Sequence, residues 1–69
     1  MTNKDLITNL IEGYSYPQIA QIHNLPIWTI DRRVKSLKKR YGVEKTITLV
    51  ALYVQRHEIE VVKINEDGE

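Results

Sequence analysis

Apolar side chains recur at helical spacing in four separate stretches of the chain. The first stretch contains Leu6, Ile7, Leu10 and Ile11, whose spacings of one, three and four residues place them on one side of a helix. Gly13 follows directly, and glycine commonly ends a helix because it adopts a left-handed backbone without steric strain. We therefore predict a first amphipathic helix that ends before Gly13.

A second, shorter helix is predicted to begin at Ser15. Ser15 and Gln18 have the spacing of a capping box, in which the serine oxygen accepts a backbone N–H and the glutamine side chain accepts another in return. The helix is expected to run for about two turns and to stop at Asn24, a residue type that tolerates the left-handed backbone. Its inward face is predicted to comprise Ile19, Ala20 and Ile22.

The third helix is predicted to start at Pro26, because proline fits a first helical turn and disfavours helix in the residue before it. Gly42 marks its end. Residues spaced by four, three and four positions form its apolar seam: Ile30, Val34, Leu37 and Tyr41. The opposite surface carries Arg32, Arg33, Lys35, Ser36, Lys39 and Arg40. This helix is therefore expected to be basic on its solvent side.

The fourth helix is predicted to begin near Thr46 and to be apolar on two sides. The inward side is expected to contain Ile47, Val50, Ala51 and Val54. The second stripe comprises Leu49, Leu52 and Tyr53. Because a helix that is apolar on two sides is usually buried on two sides, we predict that this second stripe forms a homodimer interface. A lid over the first helix is the alternative.

These patterns predict an all-α fold: a four-helix helix-turn-helix domain over residues 1–58, followed by a short C-terminal tail, 59–69. At 69 residues the chain has room for one domain. The tail is strand-prone at its start and acidic at its end. It could extend the fourth helix, add a strand across a dimer or be partly disordered.

The composition argues against several functional classes. The chain has no cysteine and only two histidines, far apart in sequence, so we expect no disulfide, metal site or cofactor. It lacks paired carboxylates, a glycine-rich phosphate loop and a nucleophile–base arrangement, so we predict that it is not an enzyme. The first residues are charged and contain no long apolar run. We therefore expect neither a signal peptide nor a membrane span, and a cytoplasmic location.

Charge is segregated along the chain. The net charge is +1, but seven basic and two acidic residues lie between Asp31 and Lys45, so this segment carries +5 and the remainder −4. A surface that binds a polyanion requires such segregation. A solvated helix face can carry the same charges, because Lys and Arg are common on any exposed helix. A nucleic-acid interface is therefore a hypothesis that charge alone does not decide.

From Leu10 to Val50 the sequence resembles LuxR-type (GerE-like) helix-turn-helix DNA-binding domains. The stretch from Leu10 to Ser15 matches the end of the family's first helix and the start of its second. Gln18-Ile19-Ala20 stands where the family usually has Glu-Ile-Ala, Thr29-Ile30 at its Thr-Val, and Tyr41-Gly42-Val43 at its Leu-Gly-Val. The match runs without a gap over roughly two thirds of the chain, and its combination of spacing and residue type is fairly specific.

The resemblance implies a bacterial or phage transcription regulator that binds double-stranded DNA. Its third helix, about 27–41, would enter the major groove, and its fourth helix would form a homodimer. The residues facing the groove would be Ile27, Trp28, Asp31, Arg32 and Lys35. The phosphate contacts would come from Ser15, Tyr16, Thr29, Arg33, Lys39 and Lys45.

The chain departs from the family pattern at the start of the third helix. Pro26 stands where the family favours a Ser or Thr cap, Ile27-Trp28 replaces a polar pair, and Asp31 stands where a lysine is common. Ile27 and Trp28 could pack on thymine methyl groups or bind a protein, and Trp28 could equally be an edge of the core. The alternative function is therefore a helix-turn-helix used as a protein-binding module that modulates another regulator or RNA polymerase.

Overall fold

The structure, a computed structural model, describes residues 1–57. Within them the chain forms four helices and no strand: α1 (Asn3–Ile11), α2 (Tyr16–Ile22), α3 (Ile27–Tyr41) and α4 (Thr46–His57). The all-α class predicted from the sequence is confirmed for this part of the chain. The predicted tail, 59–69, lies outside the described residues.

Capping boxes begin the first two helices. The Ser15 Oγ accepts the backbone N–H of Gln18 at 3.4 Å, and the Ser15 N–H donates to Gln18 Oε1 at 2.8 Å. This arrangement confirms the capping box predicted for α2. In α1 the Thr2 Oγ1 accepts the N–H of Asp5 at 3.0 Å, and the Thr2 N–H donates to the Asp5 carboxylate at 3.0 Å. Each box therefore satisfies N–H groups that have no partner within the helix.

Left-handed residues end the first three helices, as their types predict. The backbone φ is +91° at Gly13 after α1, +56° at Asn24 after α2 and +69° at Gly42 after α3. Between α2 and α3 the turn is further held by the Leu25 N–H, which donates to the Ala20 carbonyl at 2.8 Å. The two central helices are thus joined by a short turn with a defined geometry, the outline of a helix-turn-helix.

A single cluster of nine buried apolar residues draws on all four helices. Its members lie between 0 and 6% exposed: Leu6, Ile7, Ile19, Ala20, Ile30, Val34, Leu37, Leu49 and Tyr53. The buried faces predicted for α1 and α3 are confirmed, although Leu10, Ile11 and Tyr41 are only partly buried at the edge of this core. Ile22, which was predicted to face inward from α2, is 52% exposed. It is the last residue of α2, where the helix leaves the core.

The structure corrects the orientation predicted for α4. Leu49 and Tyr53, assigned to a dimer interface, are 0% and 6% exposed within a single chain. Leu52, the third member of that stripe, is partly buried. Ile47, assigned to the core, is 77% exposed, and Ala51 is also exposed. Val50 and Val54 are partly buried and pack against the core, as expected. The stripe predicted for a partner therefore faces α1 and α3 of its own chain.

Two asparagines of α1 hold it against the central pair of helices. Asn9 Oδ1 lies 2.7 Å from Nε2 of His23, at the end of α2. Asn3 Oδ1 accepts a hydrogen bond from Nη1 of Arg33, on α3, at 3.2 Å. The apolar contacts of α1 are thus supplemented by one polar contact near each of its ends.

Of the four helices described, none is long and apolar enough to cross a bilayer.

Candidate nucleic-acid interface

A polar stripe with one tryptophan runs along the side of α3 that faces away from the core. Its residues are all exposed and are spaced by four, three and four positions: Trp28, Arg32, Lys35 and Lys39. The buried seam of the same helix has this spacing too, two residues out of register, so the stripe lies on the opposite side. Because the seam packs into the core, the cations of Arg32, Lys35 and Lys39 are exposed together to solvent.

Two large apolar residues form the first turn of α3. Ile27 and Trp28 are 50% and 60% exposed, so neither belongs to the core. Pro26 precedes them as the N-cap residue and makes no side-chain capping bond. The first role considered for Trp28, a partly buried edge of the core, is not what the structure shows, because Trp28 is not among the residues packed against the core cluster.

Asp31 introduces the one carboxylate of α3. Its Oδ2 lies 3.0 Å from Nζ of Lys35, one helical turn along, and both side chains are well exposed. Exposed pairs of this type contribute about 0.3–0.5 kcal/mol to a helix. The pair matters more for recognition than for stability, because Asp31 partly neutralises the ammonium group of Lys35, which belongs to the stripe.

An arginine-rich cleft lies between the start of α1 and one flank of α3. Its volume is about 490 Å³, and its lining comprises Asn3, Trp28, Thr29, Arg32, Arg33, Ser36, Leu37 and Arg40. Arg33 is partly buried here, because its guanidinium donates to Asn3. Thr29 is partly buried as well, whereas Arg32 and Arg40 are exposed. The predicted phosphate contacts Thr29 and Arg33 thus share one flank of the helix.

Three other predicted phosphate contacts form a second group at the starts of α2 and α4, whereas Lys39 lies on the stripe of α3. The Tyr16 hydroxyl lies 3.4 Å from Oγ1 of Thr46, which brings these two helix starts together. Ser15 and Lys45 are exposed, and Tyr16 is partly buried. The structure therefore places the predicted site residues in two groups, one on α3 and one beside it.

Four residues of the cleft were not predicted from the sequence as site residues: Asn3, Ser36, Leu37 and Arg40. Arg40 follows Arg33 by seven positions, two helical turns, so its place on the same flank was open to prediction. Asn3 carries no such signal, because its position depends on how α1 docks against α3. No group of three or more potential metal ligands occurs among residues 1–57.

Comparisons with known proteins leave the function to be argued from this site. No protein family, curated protein or solved structure matches the chain. Because one fold hosts many functions, the helical architecture alone does not identify an activity.

Proposed function

We propose that the chain is a LuxR-type transcription regulator that binds double-stranded DNA as a homodimer, with α3 in the major groove. The observation that carries the proposal is the exposed stripe of α3, which joins Arg32, Lys35 and Lys39 to Trp28 on one side of a helix. Such a stripe, on the second helix of a helix-turn-helix pair, has the composition expected of a surface that meets a polyanion.

The dimensions of α3 suit this role. At 15 residues the helix is about 22 Å long, and an α-helix with its side chains is about 10–12 Å across. The major groove of B-form DNA is about 12 Å wide and therefore admits one helix with its side chains against the base edges. The buried seam anchors α3 to the core, so the stripe is the part of the helix that is free to enter the groove.

Each member of the interface has a chemistry that suits a duplex. The Arg32 guanidinium can donate two parallel hydrogen bonds to O6 and N7 of a guanine. Ile27 and Trp28 offer apolar surface to thymine methyl groups. Lys39 supplies a cation for the backbone. Asp31 would repel a phosphate but can accept a hydrogen bond from a cytosine amine, so we assign it to discrimination between bases.

The resemblance to the LuxR-type domains supports the same assignment. The resemblance implies a four-helix fold, and the chain has four helices in the described residues, with the longest of them after the short turn. Two of the segments that carry the resemblance, 10–15 and 41–43, include helix ends and the turns that follow them, and the other two lie within α2 and α3. In this proposal the second group, Ser15, Tyr16 and Lys45, contacts backbone phosphates beside the groove.

The test is the salt dependence of binding to a labelled duplex of random sequence, measured by fluorescence anisotropy. The logarithm of the affinity should fall linearly with the logarithm of the salt concentration, at a slope of about −0.9 for each phosphate contacted. We expect a wild-type slope of about −3 or steeper. The substitution Lys39→Ala should make the slope shallower by about 0.9, because one counterion-releasing contact is removed.

Gln55→Glu provides the matched control for this experiment. Gln55 is exposed on α4, and the substitution lowers the net charge by the same single unit as Lys39→Ala. It should leave the slope unchanged, because it does not lie on the proposed interface. Absence of duplex binding by the wild type at low salt would refute the proposal, as would equal effects of the two substitutions.

A second function, a protein-binding module, is favoured by the adjacent exposure of Ile27 and Trp28. Tryptophan is enriched in the hot spots of protein interfaces, and exposed apolar patches mark interaction sites. Under this alternative, Trp28→Ala abolishes binding to RNA polymerase or another regulator and leaves duplex affinity unchanged. Under the DNA-binding proposal the same substitution weakens duplex binding. Measuring both affinities for Trp28→Ala and Lys39→Ala separates the two functions.

A further inference from the structure

The two flanks of α3 differ in charge and in shape. The flank next to α1 carries Thr29, Arg33 and Arg40 and forms one wall of the cleft. The other flank carries Ile27, Asp31 and Lys38. Asp31 places a carboxylate there, whereas none of the described residues lining the cleft is acidic. A phosphate that approaches α3 therefore meets a less repulsive surface on the α1 side.

Arg33 is held in an orientation that leaves most of its donors available. A guanidinium has five N–H donors in a planar fork, and the hydrogen bond to Asn3 Oδ1 is made by Nη1. Because Arg33 is partly buried against α1, its side chain has less freedom to lose when a ligand binds. The cleft thus presents one pre-positioned guanidinium beside the two exposed ones of Arg32 and Arg40.

The remaining lining is also suited to phosphate. The hydroxyl groups of Thr29 and Ser36 can donate hydrogen bonds to phosphate oxygens. Two helical turns separate Arg33 from Arg40, about 10 Å along the helix axis. Each step along a DNA strand advances by about 3.4 Å. The two arginines are therefore far enough apart to contact different phosphates of one strand.

We propose that the cleft between α1 and α3 is a binding site for backbone phosphates, so that one DNA strand lies along the α1 side of α3. Arg33 and Arg40 contact the phosphates, and α1 becomes part of the interface. The assignment of these phosphates to DNA rests on the proposed function. Free nucleotides share the same phosphate chemistry, and the experiments below distinguish the two sources.

The first experiment compares Arg40→Ala with Lys38→Ala in the duplex salt series. Both residues lie in the last turn of α3, and each substitution removes one positive charge. They differ in the flank they occupy. We expect Arg40→Ala to make the slope shallower by about 0.9 and Lys38→Ala to leave it unchanged. Arg40→Lys should retain the slope, because the charge remains in the cleft.

Two results of this experiment would overturn the inference. One is an equal loss of slope for Arg40→Ala and Lys38→Ala, which would mean that the two flanks do not differ. The other is a loss for Lys39→Ala with none for Arg40→Ala. In both cases duplex binding through α3 stands, and only the cleft assignment falls.

The second experiment uses Trp28 as a reporter of the cleft. Trp28 is the chain's single tryptophan and lines the cleft, so its fluorescence, excited selectively over that of the four tyrosines, reports a ligand bound there. Inorganic pyrophosphate and a mononucleotide are titrated into wild type and Arg40→Ala. If no duplex binds, a saturable change in wild type that Arg40→Ala abolishes supports the cleft as a site for free nucleotides. No duplex binding together with no fluorescence change would overturn it.

Discussion

Two apolar residues of α4, two positions apart, have opposite environments. Leu49 is fully buried and Ile47 is 77% exposed. Leu49 shares its side of the helix with Tyr53, whose ring lies 6.0 Å from that of Tyr41 between centroids. The Arg56 guanidinium lies over the Tyr41 ring, 4.8 Å from its centre. The aromatic contact between Tyr41 of α3 and Tyr53 of α4 thus lies on the buried side of α4.

Substitution to alanine at each of these two positions should separate their roles. Leu49→Ala should lower the free energy of unfolding by about 2–5 kcal/mol, because it leaves a cavity in the core. Ile47→Ala should change it by less than about 0.5 kcal/mol, because its side chain is already solvated. Urea denaturation followed by circular dichroism, at a concentration where sedimentation shows monomers, measures both. Equal losses would mean that α4 is rotated relative to the orientation described.

At the scale of helices, the ends were predictable because their signals are local. Ser15 with Gln18, Asn24 and Gly42 each mark a boundary by their own side chain or backbone preference. The buried side of α4 was not predictable, since both its stripes are apolar and the choice depends on where α1 and α3 dock. For the same reason, only part of the candidate site could be predicted from the sequence. The stripe on α3 follows from spacing, whereas the cleft requires Asn3 to meet Arg33 across thirty residues of sequence.

The capping box of α1 makes a prediction about pH. The backbone N–H of Thr2 lowers the pKa of the Asp5 carboxyl below its usual range, and the Thr2 side chain adds to the effect. The folded-state pKa is therefore below the unfolded-state value. The stabilising contribution is complete above the unfolded-state pKa and is lost as the pH falls through the folded-state pKa.

We therefore expect Asp5→Ala to lower the thermal midpoint most at neutral pH. The difference from wild type should shrink as the pH falls into the acid range, because protonation of Asp5 removes the charge that the substitution removes. Melting curves by circular dichroism between neutral pH and the titration range of Asp5 provide the measurement. A difference that stays constant across this range would contradict the assignment of the cap.

At the scale of the whole molecule, the core is small. Only nine side chains are buried among the described residues, and domains of this size are commonly marginal alone. Dimerisation through α4 therefore remains part of the proposed function, although the surface available for it differs from the predicted one. Leu49 and Tyr53 are committed to the core, so the exposed apolar residues of α4 are Ile47 and Ala51, one turn apart on the same side.

A dimer that uses this side of α4 should be sensitive to charge at Ile47. We expect wild type to sediment as a dimer at tens of micromolar and Ile47→Glu to sediment as a monomer, because the substitution would bury a carboxylate in the interface. Gln21→Glu, at an exposed position of α2, adds the same charge and should remain dimeric. A monomeric wild type at this concentration would rule out the homodimer.

The two asparagine contacts of α1 have a consequence for the uniqueness of the fold. Apolar contacts are non-directional, so a small core tolerates several rotations and shifts of a packed helix at similar energy. Hydrogen bonds are directional, and those of Asn3 and Asn9 point to different helices, α3 and α2. A shift of α1 by one residue would break both at once. The two hydrogen bonds therefore favour the native position of α1 over alternative packings in which the helix is shifted or rotated.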